Sequence, residues 1–171
     1  MKEQPRHGDI VLYSVTGQSE DSSKLVATAE LWFGRGRSAA RYSHVGIRSY
    51  SPGRNYESRW PVSGLFDIDP HRSYDIVRIE GMSDDQLHEV VDDCARHSGE
   101  WYPLDTLVTF GLIRHKNMKV CSQWAAARFA KAGVHFHKEG MPIVSPDAIA
   151  DFKTEKYQAR VIYRHDPGRS A

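Results

Sequence analysis

A cysteine stands where a helix begins. The stretch KVCSQWAAARFAKAG, residues 119–133, is rich in helix formers from Trp124 to Ala130, and Gly133 is a natural stop just past the end. A helix N-terminus carries unpaired N–H groups and about half a positive charge. A thiol placed there loses its proton more readily, and the thiolate is the reactive form. Lys116 and Lys119, if close, push the same way. Cys121 is therefore a candidate nucleophile. Cysteine is also a small hydrophobe that simply packs, so its partners must decide between the two readings.

A thiol nucleophile needs a base within hydrogen-bond reach, and the base needs an orienting group. The chain has nine histidines. His7, His71, His88, His97, His115, His135, His137 and His165 lie in polar, charged or turn-like surroundings and read as surface. His44 instead begins the apolar run SHVGI and shares a strand face with Gly46. A glycine beside it leaves room for a ligand or another backbone. His44 is the candidate base, with a structural histidine as the alternative. Glu57, in NYESRW, follows the turn signal SPGRN. A hairpin about that turn brings position 57 opposite positions 44 to 48. A carboxylate there can accept from the imidazole and hold its tautomer; an exposed glutamate on an edge strand is the alternative. Asn55 is a weaker candidate for the same role, and Asp9 and Glu30 read as caps or surface.

These residues need elements to position them. Residues 9–14, 43–50, 56–62, 74–80 and 157–164 read as strands. Residues 24–33 have helical spacing and end at Gly34. The run SDDQLHEVVDDCARHSG is a helix, with a capping-box pattern in Ser83 and Gln86 and with Gly99 past its end. Leu87, Val90, Val91 and Cys94 form its buried stripe, which makes Cys94 a core residue. Ser145 and Pro146 open a short helix through Phe152. The order implies an α+β domain, an antiparallel sheet packed against helices on one side, and we expect residues 1–171 to form a single domain.

The bulk properties narrow the function. The 171 residues suffice for a sizeable core, and basic and acidic residues nearly balance at a net charge of +1. That gives no polybasic footprint for nucleic acid or an anionic membrane. Two cysteines are too few for a disulfide-built fold. The N-terminus MKEQPRHGDI has no apolar core and no cleavage site, and no run reaches the roughly 18 apolar residues of a membrane span. The expectation is a cytoplasmic protein without an integral membrane segment, with export by a signal-independent route left open. The oligomeric state is not legible. One cysteine and scattered histidines do not give the ligand spacing of a zinc site, so no metal and no cofactor are expected.

Taken in order, HGDIVLY, YSHVGI, YESRWPVSGL, WYPLD, VCSQWAAARFAKAG and VSPDAIADF resemble the circularly permuted papain-like hydrolases of the NlpC superfamily, in the branch of the YaeF/YiiX group. The resemblance runs from about Gly8 to Phe152. It implies a permuted papain-like fold in which the histidine strand precedes the cysteine helix. It carries Cys121 over as nucleophile, His44 as base and Glu57 as the third, polar residue. Residues 14–41 match nothing specific in the family, and the run VTFGLIRHKNMK, residues 108–119, is particular to this chain.

The chemistry this implies is acyl cleavage through a thioester, on a small peptide, an amide or a lipid ester, cell-wall peptides among them. The Cys121 backbone N–H, with Tyr42 as a candidate side-chain donor, would form the oxyanion site. Acyl transfer by a lipid-modifying relative of the same fold is one alternative, and a binding module that keeps the fold without catalysis is another. Thiol redox chemistry is disfavoured, because no second cysteine stands in a C-x-x-C arrangement.

Overall fold

The computed structural model describes residues 3–15, 41–59, 61–101, 121–136 and 144–168. Six strands form one antiparallel sheet: β1 (Ile10–Ser14), β2 (Tyr42–Arg48), β3 (Arg54–Ser58), β4 (Ser63–Asp67), β5 (Tyr74–Glu80) and β6 (Gln158–His165). Their order across the sheet is β4-β3-β2-β1-β5-β6. Among the described residues three helices accompany them: α1 (Asp84–Arg96), α2 (Cys121–Lys131) and α3 (Pro146–Ala150). The expected α+β class with an antiparallel sheet and packed helices is what the chain adopts. The expected helix at residues 24–33 and the run before Cys121 lie outside the described residues.

Several elements form for the local reasons expected. Ser83 and Gln86 make a reciprocal capping box on α1, with Gln86 N–H donating to Ser83 Oγ at 3.2 Å and Ser83 N–H to Gln86 Oε1 at 3.1 Å. Ser145 Oγ accepts from Ala148 N–H at 3.1 Å, and Pro146 takes the first turn of α3. That helix stops at Ala150, short of the expected Phe152. The strand expected over residues 56–62 holds only as far as Ser58, and a strand that was not expected, β4, begins past its end. β3 ends at Ser58, which pairs with Ser63 at the start of β4. Pro61 lies between them, and proline has no N–H to give a ladder.

Alternation divides the sheet. Ile10, Leu12, Val45, Ile47, Val77 and Ile79 pack into a core with Leu87 and Val90 of α1 and Trp124 and Phe129 of α2. Cys94 is fully buried in that core, as its place on the stripe predicts. Asp9 is not a surface residue; its Oδ2 accepts from Arg6 N–H at 2.7 Å. It is 1% exposed, and Arg78 grips it through Nε at 2.9 Å and Nη2 at 2.8 Å. Among the described residues no helix is long and apolar enough to cross a membrane.

Candidate active site

Strand register builds the site. Antiparallel pairing sets His44 of β2 opposite Tyr13 of β1, and Gly46 of β2 opposite Glu57 of β3. Positions 44 and 46 share a face, so Tyr13, His44 and Glu57 converge on it. Gly46 is what allows this. A Cβ there would overlap Asn55 Nδ2 and stand 3.1 Å from both Asn55 Cγ and Glu57 Cγ. The glycine does leave room, as expected; the room is filled by the side chains of Asn55 and Glu57.

Glu57 Oε2 lies 2.8 Å from His44 Nε2. Its other oxygen, Oε1, accepts from Asn55 Nδ2 at 2.7 Å and from the Tyr13 hydroxyl at 3.0 Å. Asn55 Nδ2 also donates to the Tyr13 hydroxyl oxygen at 3.3 Å. The carboxylate is thus fully engaged while being only 3% exposed, and Asn55 is wholly buried. Burial opposes ionisation of Glu57, but the charge and hydrogen bond of His44, the Tyr13 hydroxyl and the charge of Arg59 outweigh it and hold its pKa below the ordinary value.

Cys121, the first described residue of α2, is 2% exposed and near enough to His44 to act on its imidazole. Burial would lower the imidazole pKa, but the interactions with Cys121 and with the Glu57 carboxylate outweigh it and raise it well above the ordinary value. The structure therefore sets His44 against Glu57, and Cys121 acts on the same imidazole. An imidazole so placed can exchange a proton with a thiol on one side while a fixed carboxylate holds its orientation on the other.

Tyr42 does not join this group as an oxyanion donor. Its hydroxyl donates to Asp75 Oδ2 at 2.7 Å, and burial, with Asp75 after it, pushes its pKa up. Tyr13 is the tyrosine that touches the site, its ring centre 5.6 Å from that of His44. The sequence offered one sign of it: in β1, Tyr13 falls on the face opposite Ile10 and Leu12. Asn55 was read as an alternative to Glu57 and is instead its hydrogen-bond donor. Of the remaining histidines, His7 stacks on His88 with ring centres 4.7 Å apart, and His165 Nε2 lies 2.8 Å from Pro70 O. His97 lies at the end of α1, and His115, His137, Lys116 and Lys119 lie outside the described residues.

No family model matches the chain, and no curated protein does. Among solved structures, the chain is similar to YiiX from Escherichia coli O157:H7, described as a metalloprotein of the DUF1105 group. The TM-score is 0.62 at 16% identity, over 94% of this chain and 99% of that one. Among the described residues, no group of three or more His, Cys, Asp or Glu side chains is placed to hold a metal ion. His44 Nε2 and both oxygens of Glu57 are taken up by their neighbours, so these residues do not fit a metal centre. The likeness is one of architecture: this chain has a YiiX-like α+β fold.

Proposed function

We propose that this chain is a cysteine hydrolase that cleaves an amide or ester through a thioester, on a permuted papain-like version of this fold. What supports the reading is the His44 imidazole held at 2.8 Å by the buried Glu57 carboxylate, with Cys121 acting on the same ring. The Cys121 thiolate attacks the substrate carbonyl, and the backbone N–H of Cys121, at the start of α2, donates to the oxyanion that forms. As the tetrahedral adduct collapses, the C–N or C–O bond breaks and the His44 imidazolium gives its proton to the leaving amine or alcohol. Water then attacks the thioester while His44 takes its proton, which releases the acid and restores the thiolate. Glu57 keeps the ring oriented through Nε2 and offsets the imidazolium charge. Small peptide amides, those of bacterial cell walls included, are the substrates this chemistry suits, and lipid esters suit it equally.

The test is direct trapping. The protein is incubated with a panel of activated esters and short peptide amides, and intact mass is followed on a rapid-quench timescale. An acyl adduct that maps to Cys121, is lost in Cys121→Ala and accumulates more slowly in His44→Ala supports the reading. Equal alkylation of Cys121 by iodoacetamide in wild type and His44→Ala, with no adduct from any substrate, would sink it in favour of a binding module.

A further inference from the structure

Arginine usually spends its charge on a carboxylate in this molecule. Arg41 reaches Asp147 at 2.9 Å, Arg78 reaches Asp9 at 2.8 Å and Arg128 faces Asp93 at 3.2 Å. Arg72, on the turn before β5, has no carboxylate partner among the described residues. The two nearest acids in sequence have other partners: Asp69 accepts from His71 N–H at 2.8 Å and Asp75 from the Tyr42 hydroxyl at 2.7 Å. Arg72 Nε and Nη2 are both buried without an acceptor among the described residues. Arg128 shows a similar shortfall, but Asp93 stands in front of it. A buried donor without an acceptor costs stability unless something supplies one.

The position of Arg72 matters more than its isolation. Its guanidinium carbon sits 4.4 Å from the centre of the Tyr13 ring, and that ring centre is 5.6 Å from His44. The two distances share the Tyr13 ring, so guanidinium and imidazole are at most about 10 Å apart. Nε and Nη2 are the two donors along one edge of the guanidinium, and their spacing matches two oxygens of a single carboxylate or phosphate. Arg59 supplies a second cation from the end of β3. It stacks on Phe66 at 3.4 Å, has no carboxylate partner among the described residues, and its charge reaches Glu57.

We propose that Arg72 forms an oxyanion-binding subsite beside the His44–Glu57 pair, so that the substrate carries a carboxylate or phosphate group close to its scissile bond. The substrate part of this rests on the hydrolase reading; the anion site itself does not. Tyr13 then has two duties, its hydroxyl holding Glu57 and its ring face holding the guanidinium in place.

The experiment is isothermal titration calorimetry of the whole chain with inorganic phosphate and with glutarate, on wild type, Arg72→Gln and Arg72→Lys. The expected result is that wild type binds at least one of the two, and that Arg72→Gln weakens that binding by about ten-fold or more through loss of the charged fork. Arg72→Lys keeps the charge and the ring contact but not the fork, so it falls between and covers the case in which Arg72→Gln misfolds. Tighter phosphate binding assigns a phosphate-bearing substrate, and tighter glutarate binding a carboxylate-bearing one. Binding of neither anion, or equal binding by all three proteins, overturns the proposal. Iodoacetamide alkylation of Cys121 in wild type and His44→Ala is run alongside. If those rates coincide, the hydrolase reading fails, whatever the calorimetry shows.

Discussion

Gly46→Ala is the sharpest perturbation of this site, because two arguments predict opposite signs for it. Gly46 does not have a positive φ, so its backbone suits alanine. On chain entropy alone the substitution would stabilise the protein by about 0.4–1 kcal/mol. The site says otherwise. The new methyl would overlap Asn55 Nδ2 and crowd Asn55 Cγ and Glu57 Cγ at 3.1 Å. Asn55 is wholly buried and tied to Glu57 at 2.7 Å and Tyr13 at 3.3 Å, so it cannot swing into solvent. Overpacking costs about 1–3 kcal/mol, and loss of a hydrogen bond to a charged group costs about 1.5–3 kcal/mol. Set against the entropic gain, the net loss is about 3 kcal/mol, or roughly 6–12 °C in Tm for a chain of this size. Urea and thermal unfolding of wild type, Gly46→Ala, Asn55→Ala and the double variant measure it. Asn55→Ala removes the carboxamide the methyl collides with, so Gly46→Ala should cost much less in that background. A Gly46→Ala protein as stable as wild type, or a double variant whose losses simply add, would refute the packing argued here.

Further outcomes follow from the same contacts. Tyr13→Phe removes the hydroxyl donor from a buried carboxylate and should cost about 1–2 kcal/mol in urea unfolding; unchanged stability would mean that the hydroxyl does not hold Glu57. Under native conditions iodoacetamide should modify Cys121 and leave Cys94, which is fully buried and whose pKa burial pushes far up; peptide mapping that finds Cys94 labelled first would contradict the site. Stability should fall at both ends of the pH range. His44, raised above its ordinary value, contributes fully below its unfolded pKa of about 6.5 and loses that contribution as pH rises through the folded value. Glu57, lowered, contributes above its unfolded value of about 4.3 and loses that contribution as pH falls through the folded one. Cys121→Ala takes away one of the interactions that raise His44, so its alkaline fall in Tm should be smaller; curves parallel to wild type would refute an action of Cys121 on His44.

Local chemistry made much of the fold legible. Ser83 and Gln86 announce α1 because a capping box is completed within four residues. β5 alternates in YDIVRIE, and its span matches the sequence reading from Tyr74 to Glu80. β4 was missed because SGLFD holds a glycine, a serine and an aspartate in five residues, and only pairing with β3 makes it a strand. Glu57 could be placed near His44 because the hairpin that joins their strands is short. Tyr13 could not, because its position opposite His44 depends on β1 inserting between β2 and β5, a fact of sheet order with no local signature. Arg72 has the same difficulty. Nothing in DPHRS tells a guanidinium on a turn from an exposed one, and only the Tyr13 ring beneath it does.

Gly46 shows where such reading stops. A glycine beside a histidine on a strand says that space is needed, and the space is there. What fills it depends on the partner strand. β3 presents Asn55 and Glu57 on the same face, two positions apart, and both lean into the gap that Gly46 leaves. The sequence set those two residues against each other as rivals for one role. The structure needs both: without Asn55 the buried Glu57 carboxylate would lose the nearer of the two donors on Oε1, and Asn55 alone could not offset an imidazolium. The order of causes therefore runs from the glycine, to the paired side chains it admits, to the orientation of His44, and only then to the thiol of Cys121. A substitution early in that order should disturb every later member, which makes Gly46, with no functional group of its own, the position whose replacement tests the whole arrangement.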